Sequence, residues 1–427
     1  YTENMRFLLL SATPMYNSCK EIVWLTNLMN ANDKRSLMEV NEVFDANGNF
    51  VKERITPDGK KIEGGRELLQ RKLIGYVSFV RGENPFTFPY RIYPNMFSPD
   101  NTLQQLGNYP HIQMNRKIID EPIKHVPVYL NQIGEYQKNG YKFIIDCMMN
   151  KDFSFYTSMG TLKEMPSFEE LDSFSYNKLQ DPVQALNIIY PNANLDSYLS
   201  LSEDQQKQVN SSAIEEIINE IKGKSGLKNI MSYEEVTSPY YLRHKFNYNQ
   251  EVLDKYGRIF HKDNLHKYSK KIANICDIIM KSKGIVLIYS QYIDGGVIPI
   301  SLALEELGFT KYGSANYTES LFETPPTSLL DSRTMLPKEQ LTDQNSFIPA
   351  KYVVITGDKF FSADNSADLK YITDPKNKNG ELVKVVLISK TGAEGLDFKN
   401  IRQVHILDPW FNMNRIEQII GRGVRNM

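Results

Sequence analysis

The chain has 427 residues, of which 41% are hydrophobic, enough for a sizeable core, so a wholly disordered chain is excluded. It carries 50 Lys and Arg against 51 Asp and Glu, which excludes a histone-like polycation. At about 150 residues per domain, the length predicts two or three domains. The three cysteines form no C-x-x-C pair and no apolar run approaches roughly 20 residues, so we expect no disulfide framework, zinc module or membrane partner.

The first elements predicted along the chain are a strand and a helix. Residues 6–11 form a compact apolar run, which favours a buried strand of a parallel sheet. Pro14 cannot continue such a strand. A helix is predicted from about Cys19, because the apolar residues that follow have helical spacing.

The middle of the chain, residues 31–255, is predicted to be a mixed α+β insertion or linker region. Helices are predicted at 67–74, from 131 and at 214–221, and short strands at 76–80, 90–93 and 125–129. Residues 150–210 are expected to be irregular, because Ser, Asn, Asp and Pro interrupt the periodic pattern from 150 to 201.

The last region, residues 256–427, has a regular alternation of helices and strands. Helices are predicted at 270–281, at 298–307, near 368 and from 415, and strands at 285–289, 352–355, 383–388 and 404–407. Strands that alternate with helices predict an α/β fold with a doubly wound parallel sheet.

The C-terminal stretch carries the sharpest chemical pattern. On a helix, Gln418, Arg422 and Arg425 share one face. Two guanidinium groups on one face could clamp a polyphosphate. Gly421 and Gly423 weaken a helix by roughly 1 kcal/mol each, which is understandable if something approaches the helix closely. A solvated arginine face beside a tight helix crossing is the alternative.

A glycine-rich loop, residues 389–397, follows the predicted strand at 383–388. Open α/β sheets place ligand contacts at such strand ends. Gly392 and Gly395 would let backbone N–H groups face a phosphate, whereas an ordinary strand-to-helix turn is the alternative. Downstream, Trp410 and Phe411 could stack on bases or anchor their loop in the core.

These motifs together resemble those of superfamily 2 helicases and translocases. Residues 11–14, Ser-Ala-Thr-Pro, resemble motif III, the loop at 389–397 resembles motif V, and residues 418–425 fit motif VI, Q-x-x-G-R-x-x-R. The Asp-Pro-Trp-Phe-Asn segment at 408–412 is similar to chromatin-remodelling ATPases. Segments at 75–82, 88–94 and 284–292 are more similar to the early-transcription-factor and NTPase-type helicases of nucleocytoplasmic large DNA viruses.

The resemblance covers most of the chain outside about 150–250, and it implies a domain layout. Residues 256–427 would be a second RecA-like lobe, truncated at its end. Residues 1–30 would be the C-terminal tail of a first RecA-like lobe, and residues 31–255 an insertion between them.

The resemblance also implies three groups of functional residues. Residues that line the ATP cleft and act in catalysis would be Gln418, Arg422 and Arg425. Residues that face the bound nucleotide would be Gly395, Asp397 and Gly421. Residues that contact nucleic acid or couple it to nucleotide state would be Ser11, Thr13, Ser290, Ser389 and Thr391.

The implied cofactors are ATP and Mg²⁺, but the residues that hold them in this superfamily are not all found here. A Walker A loop and an Asp-Glu box belong before motif III, and the ten residues before Ser11 contain neither. We therefore expect the metal to be held by residues missing from this chain, and these 427 residues alone to be inactive as an ATPase.

The implied partner is double-stranded DNA, with a viral RNA polymerase or transcription-factor subunit as a further partner. The location would be the virion or a viral factory in the host cytoplasm, or otherwise the inside of the cell. Two other functions stay open on the sequence: a non-catalytic RecA-like scaffold, and the motor subunit of a restriction system.

Overall fold

The computed structural model describes residues 6–11, 14–15, 18–46, 48–59, 61–79, 89–102, 110–112, 118–119, 128–149, 179–237, 242–313, 318–324, 326–358, 361–362, 364–390, 396–410 and 413–424. Its contacts divide the chain into two compact units. Unit 1 comprises Tyr1–Thr87 and Trp410–Gln418, and unit 2 comprises Phe88–Pro409 and Ile419–Met427.

Unit 1 contains three helices and a small antiparallel hairpin among its described N-terminal residues. They are α1 (Glu21–Asn32), α2 (Val40–Val43), β1 (Arg54–Ile55), β2 (Lys61–Ile62) and α3 (Gly65–Leu73). Val23, Val43 and Leu69 are buried together, one from each helix. The helices at about 19 and at 67–74 are therefore confirmed, with shifts of two residues at their starts.

Two strands predicted in unit 1 do not form. Residues 6–11 have no strand partner among the described residues, and Leu8 and Leu10 are 80% and 85% exposed. A buried parallel strand needs neighbours that take its backbone N–H and C=O groups, and hydrophobicity does not supply them. Residues 76–79 are likewise irregular, while residue 80 lies outside the described part.

The helical part of unit 2 precedes its sheet. Its elements are α4 (Pro94–Phe97), α5 (Glu135–Met149), α6 (Gln180–Asn187), α7 (Ala193–Leu199), α8 (Glu203–Gln206), α9 (Ser211–Glu220), α10 (Gly223–Ile230), the hairpin β3 (Met231–Thr237) and β4 (Leu242–Tyr248), α11 (Gln250–Tyr256), α12 (Lys262–Tyr268) and α13 (Lys270–Lys281).

The sheet and its helices complete the described chain. They are β5 (Ile285–Tyr289), α14 (Ile298–Leu307), β6 (Thr310–Tyr312), β7 (Thr318–Glu319), β8 (Lys351–Ile355), α15 (Asn365–Ile372), β9 (Val385–Ile388), β10 (Ile401–Ile406) and α16 (Met413–Gly423), which begins in the residues of unit 1. A π-helical turn, Ile293–Val297, precedes α14, and 3₁₀ turns lie at Pro99–Asn101, Lys338–Gln340, Gln344–Ser346 and Pro375–Asn377.

The sheet has the order β10-β5-β9-β8-β6-β7, and all neighbours pair in parallel except β6 and β7. Successive residues of its central strands enter two separate cores. In β5, for example, Val286 and Ile288 join the core that contains α13 and α14, whereas Leu287 joins the core that contains α15. Because both faces are covered, the strands are continuously apolar. The predicted α/β, doubly wound parallel sheet is confirmed.

Buried polar bonds fix the edge of the sheet that ends in β7. Glu305 of α14 is 2% exposed, and its carboxylate accepts bonds from the Tyr352 hydroxyl at 2.7 Å and the Leu321 N–H at 2.7 Å. Burial raises the pKa of Glu305, and these donors oppose that rise. The bonds tie the segment before β8 to the helix behind the sheet.

Two predictions for the middle region need correction. Residues 90–93 form no strand, because Tyr93 caps α4 and Pro94 occupies its first turn, a position that proline favours. The described part of the expected irregular segment, residues 179–210, is largely helical, and Ile188 and Tyr190 are buried in the core behind the sheet. Residues 150–178 and most of the predicted strand at 125–129 lie outside the described residues.

In the parts of the chain that the structure describes, none of the helices combines the length and apolar character that crossing a membrane requires.

We expect the stability of unit 2 to depend on pH through His405 of β10. Burial lowers the pKa of this imidazole to about 4, from an ordinary value near 6.5. Between those values the unfolded chain binds the proton and the folded chain does not, so stability decreases as pH falls. His405→Gln should remove a decrease on the order of 3 kcal/mol between pH 6.5 and 4, measured by urea unfolding, and the exposed His266→Gln should not. Parallel pH profiles for wild type and H405Q would contradict this.

Candidate nucleotide and nucleic-acid site

Polar residues follow the parallel strands at one edge of the sheet. Ser290 follows β5, Ser389 follows β9, and Asp408 lies two residues after β10. The ladder continues into these residues, since the Ser290 N–H donates to the Ile388 carbonyl and the Ser389 N–H to the Ile355 carbonyl, both at 3.2 Å. This carboxyl edge is where open α/β sheets bind their ligands.

Asp408 is the centre of the polar contacts at this edge. Its carboxylate is 1% exposed and accepts three hydrogen bonds. The donors are the Ser290 hydroxyl at 2.6 Å, the Gln291 backbone N–H at 2.7 Å and the Asn187 side-chain amide at 3.0 Å. The end of β10 is therefore joined to the turn after β5.

Asn187, the last residue of α6, connects this carboxylate to a lysine. Its amide nitrogen donates to Asp408, and its amide oxygen accepts from Lys271 Nζ at 3.2 Å. Lys271, on α13, also donates to the Leu407 carbonyl at 2.9 Å. The backbone carbonyl of Asn187 accepts from the Ser269 hydroxyl at 2.5 Å. Both α6 and α13 are thus bonded to the end of β10.

Burial shifts the ionisation of both charged groups. It raises the pKa of Asp408, which the bonds from Ser290, Gln291 and Asn187 and the charge of Lys271 oppose. It lowers the pKa of Lys271 to about 8, which the charge of Asp408 opposes. Each group therefore supports the charged form of the other.

The turn after β5 is closely packed against this cluster. Gly296 lies in the π-helical turn before α14, and a Cβ there would lie 2.0 Å from the Ser290 hydroxyl oxygen. Only glycine fits without moving Ser290. The Tyr190 hydroxyl donates to the Asp294 carbonyl at 2.6 Å, which holds the same turn from the helical part of unit 2.

Ser290 and Ser389, predicted to contact nucleic acid, are 1% and 3% exposed. The Ser290 hydroxyl is bonded to Asp408, so it shapes the turn from inside. The structure describes Ser389 but not residues 391–395, so Thr391 and Gly395 lie outside the described residues.

Arg422 is bonded to the segment that follows this loop. Its Nη1 donates to the Leu396 carbonyl at 3.0 Å, and its own carbonyl accepts from the Phe398 N–H at 3.3 Å. Asp397, between these two residues, is exposed. The last turn of α16 therefore contacts the end of the glycine-rich loop. The sequence predicts that both belong to one nucleotide site. Arg425 lies outside the described residues.

The two glycines of α16 differ in their surroundings. A Cβ on Gly423 would lie 3.0 Å from Val404 and 3.2 Å from Ile401, so close packing on β10 explains this glycine. A Cβ on Gly421 would meet nothing within 4 Å. Packing therefore does not require glycine at 421. Gln418, on the same helix, is half-buried.

Trp410 and Ser11 lie in unit 1. The Arg415 guanidinium lies 4.2 Å from the centroid of the Trp410 ring, a cation–π contact, and Arg415 is 4% exposed. That contact favours an anchoring role for Trp410. Ser11 is exposed in an irregular segment, while Thr13 and Phe411 lie outside the described residues.

With the sheet and this edge established, comparison with known proteins gives the family. Residues 329–427 match the model of the helicase conserved C-terminal domain. This part of the chain is therefore similar to the helicase C-terminal domain, in agreement with the resemblance to superfamily 2 helicases. The matched residues include β8, β9 and β10 of the parallel sheet.

The curated relatives include viral helicases. A putative ATP-dependent RNA helicase of Acanthamoeba polyphaga mimivirus is 22% identical over 99% of this chain and 33% of its own length. A termination factor NPH-I homolog of African swine fever virus is 35% identical over 37% of this chain and 23% of its own length. The helicase C-terminal domain thus spans only part of what these relatives contain, and the chain covers about a third or less of their length.

A solved structure also matches, the crystal structure of the C-terminal part of the Fun30 ATPase domain. It is 17% identical, covers 69% of this chain and 78% of that chain, and has a TM-score of 0.35.

The implied Mg²⁺ was compared with the acidic, histidine and cysteine side chains of the described residues. Among them, no group of three or more His, Cys, Asp or Glu side chains is arranged to hold a metal ion. No step is therefore assigned to a metal on this chain.

Sequence reasoning missed Asn187 and Lys271. Asn187 lies 221 residues from Asp408, in a segment expected to be irregular, and Lys271 lies on the helix predicted at 270–281. The one available signal was Asp408 itself, a carboxylate directly after an apolar strand at the carboxyl edge.

We expect Asp408→Ala to lower the free energy of unfolding of unit 2 by about 1 to 3 kcal/mol, because it leaves the buried donors of Ser290 and Asn187 without their acceptor. Asp277→Ala, at an exposed position of α13, should change it by about 0.5 kcal/mol or less. Urea unfolding of both variants measures this. A loss in D408A no larger than in D277A would mean that the cluster contributes nothing to folding.

Proposed function

We propose that this chain acts within an ATP-dependent helicase or translocase, as the lobe that supplies arginine to the nucleotide. The observation that carries this proposal is the pair of bonds between Arg422 and the segment 396–398. They support the proposal because residues 396–397 end the stretch 389–397, which resembles motif V. A guanidinium has five N–H donors, of which the Leu396 carbonyl takes one at Nη1.

In this proposal, Arg422 and Arg425 stabilise the charge that develops on the transferred phosphoryl group, and Gln418 lies beside them. Such arginines act mainly on the transition state. Gly395, Asp397 and Gly421 face the nucleotide, and the open space beside Gly421 supports close approach there. Mg²⁺ is held outside the described residues.

The proposed nucleic-acid partner is double-stranded DNA, bound along the carboxyl edge of the sheet. Ser11 and Thr13 are proposed as contacts on the resemblance alone. Because the net charge is −1, we expect the basic contact surface to be local and binding to depend on the phosphate backbone. A role in viral transcription, with a viral RNA polymerase or transcription-factor subunit as partner, is supported by the termination-factor relatives. The place of action would be the virion or a viral factory.

A non-catalytic scaffold is the second candidate. A scaffold needs a folded RecA-like lobe but no guanidinium beside the loop. The contact of Arg422 with the loop end favours the ATPase.

Comparing double-stranded DNA, single-stranded DNA and RNA as activators of ATP hydrolysis distinguishes the candidate nucleic-acid partners.

In the full-length protein, Arg422→Ala and Arg425→Ala should each reduce kcat for ATP hydrolysis at least about a hundredfold, with a smaller effect on KM, because the lost interaction belongs to the transition state. Arg402→Ala, at an exposed position of β10, is the matched control. Steady-state kinetics measure this, and thermal unfolding checks that the variants are folded. Near wild-type kcat in both arginine variants would favour the scaffold.

Ser389→Ala should raise the DNA concentration that gives half-maximal ATPase stimulation by about two- to tenfold, the effect of one lost hydrogen bond. The exposed Ser346→Ala should not. Titrating DNA at several salt concentrations measures the shift together with the phosphate dependence. Identical curves for S389A and wild type would mean that Ser389 does not contribute to DNA binding.

A further inference from the structure

The residues around Asn187 have no role in the proposed function, yet they carry the strongest unexplained chemistry in the described part of the chain. A buried amide there joins a half-buried lysine to a buried carboxylate. Amide, lysine and carboxylate come from α6, α13 and the end of β10. Burying charged groups is unfavourable unless they are fully hydrogen-bonded. Apolar residues would fill the same space at a lower desolvation cost, so the polar cluster calls for another explanation.

The directions of its two hydrogen bonds fix the orientation of the Asn187 side-chain amide. The Asn187 amide can be oriented in only one way here, because its oxygen must face the Lys271 ammonium and its nitrogen must face the Asp408 carboxylate. With one carboxylate oxygen held by Asn187 and Ser290, the other is directed to the Gln291 N–H. The position of the 290–291 turn therefore follows from the position of Asn187.

We propose that Asn187 and Lys271 are positioning residues that set, through Asp408, the turn at Ser290 and Gln291 for its contact with nucleic acid. The proposal rests on the proposed function, since it concerns the same edge of the sheet. It gives a role to the helices of residues 180–281, which would change the affinity for nucleic acid without contacting it.

Two further features support this assignment. Gly296 packs closely against Ser290, since a Cβ at position 296 would lie 2.0 Å from the Ser290 hydroxyl oxygen, so the turn before α14 is in contact with the residue that Asp408 holds. Tyr190 lies three residues after Asn187. Its hydroxyl donates to the Asp294 carbonyl, in the π-helical turn that follows Gln291. One segment of chain therefore holds the turn at two points.

The test uses Asn187→Leu and Lys271→Met in the full-length protein, with ATPase stimulation by a double-stranded DNA of mixed sequence as the readout. Each variant should raise the half-maximal DNA concentration at least fivefold, while unstimulated turnover and KM for ATP stay within twofold of wild type. Lys281→Met, at an exposed position of the same helix, should behave as wild type.

A double variant separates positioning from general damage. If Asn187 acts through Asp408, then Asn187→Leu combined with Asp408→Asn should weaken DNA stimulation no more than Asp408→Asn alone. Additive losses would overturn the proposal. So would equal losses of stimulated and unstimulated turnover, or no loss at all, in N187L.

The conservative Lys271→Arg keeps the charge and should recover most of the DNA response, even if Lys271→Met folds poorly. Failure of wild type itself to respond to any nucleic acid would instead refute the proposed function, and this inference with it. A responsive wild type beside unaltered N187L and K271M would refute the inference alone.

Discussion

A buried carboxylate has to be surrounded by donors, and at Asp408 this requirement organises the functional edge of the molecule. The donors come from two separate parts of the chain, the turn at Ser290 and Gln291 and the end of α6 at Asn187. Removing one acceptor would leave several buried groups unsatisfied, so the elements that carry them are held in one arrangement. Lys271 lies behind the amide and supplies the opposite charge.

The sheet makes this arrangement possible. Its parallel strands alternate their side chains between two apolar cores, and Ser290, Ser389 and Asp408 lie beyond the strand ends. At one side of the sheet Glu305 fixes the segment before β8, and at the carboxyl edge Asp408 fixes the turn after β5. Both are buried acids that accept from backbone N–H groups, which ties irregular chain to regular elements.

The helical segments before the sheet belong to the same physical unit as the helicase C-terminal domain. Ile188, Tyr190 and Leu227 are buried with β5 and β9 in one core. One of these segments contributes the amide that orients Asp408. Helices that pack behind the sheet therefore hold a turn at its carboxyl edge.

The sequence by itself determined the α/β class, the strands at 285–289, 352–355 and 383–388, and the motifs near 389–397 and 418–425, because period, capping and glycine spacing are local properties. It mispredicted residues 6–11, since a strand exists only where partners accept its backbone bonds, and it left 179–210 irregular, since packing on the sheet stabilises helices that weak periodicity does not reveal. Only the tertiary structure decided that Ser290 faces inward and that Asn187 and Lys271 hold Asp408. Contacts between residues more than a hundred positions apart depend on how elements pack, and nothing in the local sequence encodes them.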